Sequence, residues 1–192
     1  MPLFVLRLLL PLLFLAGTPF WETHPPESWS DAEIASVRQA SPWAQFIGPA
    51  PDVLVWLATA APILDAEAEA RLRAKAPERE PDPDYAAYLT EHSGQILVLA
   101  IQYPTLSGLG DAAEDRRMEK QCVMKIGKKS YPMLGHFPPV PSDPVLRLVF
   151  PREVKPGDKE VNFQLYLPGI SFPEREAIFR VKDLTYHGKL AM

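Results

Sequence analysis

The sequence predicts an α+β fold: a single domain with a mostly antiparallel sheet and its helices concentrated in the N-terminal half. Three observations carry that class. Capped, helix-spaced apolar patterns fall mainly in the first half. Short β-prone runs divided by turn residues fill the second. Runs of strands segregated from helices are the mark of this class. The 22 prolines argue against an all-helical chain, because proline removes an amide donor and clashes inside a helix.

Residues 1–18 read as a secretory signal peptide. Arg7 sits in an apolar start, residues 8–16 form a short apolar run around Pro11, and Ala16, Gly17 and Thr18 are small enough for cleavage. The run is short for a membrane span, and an uncleaved anchor is the alternative. Residues 19–28 read as a flexible leader, and residues 29–192 as one domain.

Residues 29–44, WSDAEIASVRQASPWA, are the best-punctuated stretch. Ser30 and Glu33 have capping-box spacing, and Trp29 and Ile34 have hydrophobic-staple spacing. Ile34 and Val37 share one helix face, and Pro42 ends the helix by forcing its predecessor out of the α region. Two roles fit the paired indoles: a clasp on the sheet, or an exposed recognition site. The clasp is favoured because an indole buries a large apolar area.

Further along, residues 45–47 form a short extended piece and residues 53–57 (VLVWL) a buried strand. Residues 63–76 follow Pro62 as a helix whose predicted inner face is Leu64, Ala68 and Leu72. After a charged connection at 77–83, Asp84 is the expected cap of a helix over 85–92, which Gly94 ends. Residues 95–103 (QILVLAIQY) read as the strongest strand, and the apolar residues within it run continuously, as in a central strand covered on both faces.

Residues 104–110 read as a turn region and 111–118 as one or two helical turns. Strands follow at 121–126 and 131–134 around a GKKS turn, then at 145–150. Residues 161–167 alternate cleanly, with Val161, Phe163, Leu165 and Leu167 on one side. Residues 177–182 are the next strand, and 186–191 continue the pairing.

The chain has 192 residues, 47% hydrophobic and 23% charged, with a net charge of −4. That charge lacks the basic footprint of nucleic-acid binding. A single cysteine, Cys122, excludes an internal disulfide and multi-cysteine zinc sites, and its alternation with Met124 and Ile126 places it in the core.

Two stretches carry a resemblance. Trp29-Ser30, Glu33 and Ser41-Pro42-Trp43-Ala44, with Phe179, Lys182-Asp183-Leu184, Tyr186 and Gly188-Lys189-Leu190, are similar to motifs of a group of uncharacterised exported bacterial proteins. The resemblance implies export and a shared fold, and it brings no activity with it. Leu184 stands where methionine is common in that group.

Catalytic signatures are weak. Gly108-Leu109-Gly110-Asp111-Ala112-Ala113 matches a dinucleotide fingerprint, but Pro104 to Ser107 separate it from the preceding strand. Ser107 lacks the upstream glycine of a nucleophile elbow. His24, His92, His136 and His187 show no metal-ligand spacing. No catalytic, cofactor-binding or metal residue is assigned, and no cofactor is expected. The chain is expected to be a binding or structural module of the bacterial cell envelope with an envelope protein partner. It is expected to have no nucleic acid and no stable membrane span after signal cleavage. The alternative is a small secreted hydrolase or lyase with a site around His187 and Asp183, with His136 nearby.

Overall fold

The computed structural model describes residues 18–74, 82–102, 111–141 and 143–192. Its helices are α1 (Phe20–Thr23), α2 (Asp31–Gln39), α3 (Ala61–Arg73), α4 (Pro83–Glu91) and α5 (Ala112–Gln121). Its strands are β1 (Ala44–Ile47), β2 (Val53–Leu57), β3 (Ile96–Gln102), β4 (Val123–Ile126), β5 (Lys129–Pro132), β6 (Gly135–Phe137), β7 (Val145–Pro151), β8 (Glu160–Tyr166), β9 (Glu174–Arg180), β10 (Thr185–Tyr186) and β11 (Lys189–Leu190). The chain is α+β, every strand pair is antiparallel, and the helices lie mostly in the N-terminal half.

The strands divide between two sheets rather than forming one. Five are ordered β1-β2-β3-β7-β6, four are ordered β5-β4-β8-β9, and β10-β11 is a separate ribbon. The reason is the period-2 burial of side chains. Leu97, Leu99, Ile101, Leu146, Leu148 and Phe150 from the first sheet share one core with Met124, Val161, Phe163, Ala177 and Phe179 from the second. The rings of Phe150 and Phe163 meet across it at 5.2 Å.

The opposite face of the five-stranded sheet is also covered. Tyr85 of α4 joins Ile96, Val98, Ala100 and Val149 in a second apolar cluster. That explains why β3 is apolar at successive positions: both of its faces are buried.

In α2 both halves of the capping box form. Ser30 Oγ accepts the Glu33 amide at 3.2 Å, and the Ser30 amide donates to Glu33 Oε2 at 2.7 Å. Ile34 and Val37 enter the core, and the two indoles are closed off from solvent, Trp29 at 1% exposure and Trp43 at 0%. The clasp is what the indoles form.

Several local expectations are corrected. Residues 19–28, read as flexible, carry α1 and a 3₁₀ turn at Pro26–Ser28. Aromatic packing holds them: Phe20 meets Trp29 at 5.6 Å and Trp21 meets Trp43 at 5.6 Å. The inner face of α3 is Pro62, Ile63 and Ala66, while Leu64 and Leu72 are exposed. Ile63 and Ala66 share the core with Ile34 and Val37 of the contacting helix α2.

Asp82, not Asp84, caps α4, since Pro83 occupies the first turn. α5 runs on to Gln121, so the next strand starts only at Val123. Its partner strand begins at Lys129, after a turn in which Gly127 adopts φ 57°. The segment after Thr185 closes on itself as a ribbon instead of extending a sheet. The 104–110 turn, most of the 77–83 connection and the first seventeen residues lie outside the described residues.

Candidate functional site

A groove of about 690 Å³ lies where the helix anchor meets the C-terminal segment. One side is built by Trp21 of α1, by Ser41 and Pro42, and by Gln45 of β1. The other is built by Ile178 and Arg180 of β9, then Lys182, Asp183, Thr185 and Gly188.

Local chemistry places each side. Ser41 Oγ donates to the Val37 carbonyl at 2.7 Å and accepts the Trp43 amide at 3.2 Å, which turns the chain out of α2 and into β1. That turn drives Trp43 inward, where its Nε1 donates to the Ala191 carbonyl at 2.8 Å. Its ring meets Tyr186 edge-on at 6.3 Å, and the Tyr186 hydroxyl donates to Asp65 at 2.8 Å. Burial, then the Asp65 carboxylate, push the Tyr186 phenol well above its usual range. The Gln45 amide reaches the Ile178 carbonyl at 2.9 Å and ties the two sides together.

The residues considered for acid–base work do not assemble. Asp183 does line the groove, but its carboxylate is ion-paired with Arg180 at 2.7 Å. His187 sits at the tip of the β10–β11 ribbon with φ 50°, exposed, its ring against Tyr186 at 4.1 Å. His136 lies on β6, with Nδ1 3.8 Å from Glu119. β6 is the edge of the five-stranded sheet opposite β1, whereas His187 follows Tyr186 beside Trp43 at the β1 edge. Four strand spacings of ~4.8 Å separate those edges by about 19 Å. His24 contributes its carbonyl to the Trp29 indole, and His92 ends α4 against Tyr88. Among the described residues no group of three or more metal-ligating side chains converges.

Cys122 is fully buried, and its sulfur takes the Tyr166 amide at 3.3 Å. Burial pushes its thiol up to about 11, which removes the thiolate at neutral pH.

A second polar constellation escaped the sequence reading. Arg147 of β7 is buried, ion-paired to Asp143 at 2.7 Å, with its guanidinium 4.3 Å from the Tyr85 ring centroid. Nearby, Glu67 shares a cavity of about 230 Å³ with Arg38, Gln39, Leu54, Trp56 and Gln102. Burial raises the Glu67 carboxyl, against the opposing pull of Arg38, Arg71 and Arg147. One signal was available: Arg147 interrupts the apolar run VLRLVF, and a charge inside a buried strand needs a partner.

No protein family, curated protein or solved structure matches the chain. Among the described residues no helix is long and apolar enough to cross a membrane.

Proposed function

We propose that this chain is an exported module of the bacterial cell envelope that holds a protein partner in the groove between its helix anchor and its C-terminal segment. One observation carries the reading. The two stretches that resemble exported bacterial proteins, about 140 residues apart, meet as the two sides of that groove. Its walls mix apolar surface from Trp21 and Ile178 with charges from Glu22 and Lys182, a combination suited to an amphipathic protein segment. The leader at residues 1–18 supports export. The hydrolase reading has no comparable support, since Asp183 is held by Arg180 and His187 faces solvent.

Capture from envelope extract tests the reading, using the wild-type chain beside Lys182→Glu, Thr185→Arg and His136→Ala. The expected result is one partner retained by wild type and His136→Ala and lost by both groove variants. Equal capture by all four chains overturns it. Export is tested separately by joining residues 1–18 to a reporter without its own leader; a reporter left inside the cell counts against the envelope assignment.

A further inference from the structure

We propose that the cavity between α2, α3 and the strands β2 and β3 binds a small zwitterion, a free α-amino acid with an aliphatic side chain. Four elements build it. β2 lays Leu54 and Trp56 on one face, two residues apart as the strand pleat requires. β3 sets the small Ala100 beside Trp56 and carries Gln102 two residues further along the same face. The end of α2 supplies Arg38 and Gln39, and α3 supplies Glu67. Leu54 is buried, Arg38, Trp56 and Glu67 are half-buried, and Gln39 and Gln102 are exposed. The site therefore grades from an apolar floor to a polar rim. Its volume, about 230 Å³, is below the usual range for drug-sized ligands and suits one small molecule.

Charge selects the ligand. Arg38 is the strongest single charge acting on Glu67. Yet among the described residues neither side chain forms an ion pair, and Arg38 has no hydrogen-bond partner. The other cations near Glu67 are placed differently. Arg147 is ion-paired with Asp143 at 2.7 Å, and Arg71 is exposed. Burial raises the Glu67 carboxyl, as expected of a carboxylate without a close counter-charge. A ligand ammonium supplies that charge, and the Trp56 indole adds a second attraction for a cation. Arg38 then takes a carboxylate, which its planar fork matches. An α-amino acid carries both groups on one carbon, and an aliphatic side chain covers Leu54. A simple anion leaves Glu67 unanswered, a simple amine leaves Arg38 unanswered, and a neutral sugar leaves both. None of the six lining residues belongs to the groove at the helix anchor, so the site does not depend on that groove having a partner.

Calorimetric titration of the full chain with L-valine and L-leucine, each to about 10 mM, tests it. At least one is expected to saturate. Isocaproate, which lacks the amine of leucine, and isoamylamine, which lacks the carboxylate, should each bind about tenfold or more weaker. D-glucose should not bind. Arg38→Gln should weaken the amino acid by about tenfold or more and leave isoamylamine no weaker. Glu67→Gln should weaken the amino acid equally and leave isocaproate no weaker. Melting curves verify that both variants fold, and the wild-type ligand comparison needs neither variant. The proposal is overturned if neither amino acid saturates, or if glucose or either single-charge analogue binds wild type as tightly. Folded variants that both bind the amino acid like wild type overturn it as well.

Discussion

The indole Nε1 of Trp43 donates a 2.8 Å hydrogen bond to the carbonyl oxygen of Ala191, joining residues 148 positions apart. It is the point at which the helix anchor and the end of the chain become one structure. Trp29 completes the clasp from the other end of α2, its Nε1 bonded to the His24 carbonyl at 3.0 Å.

Both indoles should therefore carry stability. Trp29→Ala is expected to cost about 3–5 kcal/mol, because a fully buried indole leaves a cavity. Trp43→Phe keeps most of the apolar volume but strips the Ala191 carbonyl of its donor, for about 1–3 kcal/mol. Urea unfolding followed by circular dichroism measures both. A Trp29→Ala midpoint equal to wild type would return Trp29 to the role of a recognition residue.

Arg175 clamps the loop after β1. It is buried, and its guanidinium bonds the carbonyls of Pro49 and, at 2.9 Å, Ser171. Burial lowers its pKa, with the charge of Asp52 opposing. Arg175→Met leaves those carbonyls without their donor and is expected to cost about 1–3 kcal/mol. Exposed Arg152→Met is the control and should stay within about 0.5 kcal/mol. The two unfolding midpoints are compared directly.

Two carboxyls should give opposite pH signatures. The Ser30 amide and then its hydroxyl hold Glu33 below its ordinary 4.5. Its contribution is present above 4.5 and is lost as pH falls through the folded value. Ser30→Ala should flatten that acid-side loss. Glu67 is the reverse: burial raises it above 4.5, so its charging destabilises the fold as pH rises through the folded value. Glu67→Gln should raise the melting temperature near neutral pH and change it little near about pH 4. Melting curves across pH for the three chains decide both signs.

Cys122 should be silent in the native chain. Its thiol is buried and pushed up to about 11. A thiol-specific reagent at neutral pH is expected to label it only in denaturant, at the rate of global unfolding. Fast labelling of the folded chain would mean that the packing of α5 on β8 opens locally.

Much of the architecture was legible because it is written in local periods. The capping box of α2 needs only residues 30–33, and the alternation of Val161, Phe163 and Leu165 needs only one strand. The face of α3 was not legible. Leu64 and Leu72 are more apolar than Ala66, yet the Ile63 and Ala66 side of α3 is the one that enters the core shared with α2. Order in residues 20–28 was hidden for the same reason: Phe20 and Trp21 find their partners in Trp29 and Trp43, not in their own turn. Of the candidate site, Asp183 and the two motif stretches are visible in the sequence, but the Arg180 ion pair that holds Asp183 depends on the 3₁₀ turn at Val181–Asp183, where a continuing strand is expected.

The sequence by itself determined the class, most of the elements and the burial of the anchor. Those follow from hydrophobic period, capping chemistry and proline stops acting over a few residues. The tertiary structure alone decided that the strands divide into two sheets. It also decided that Ser41 and Lys182 share a groove and that His136 and His187 lie near opposite sheet edges. Those facts depend on which distant residues come to be neighbours. Cooperative packing of the whole core sets that, and no local pattern encodes it.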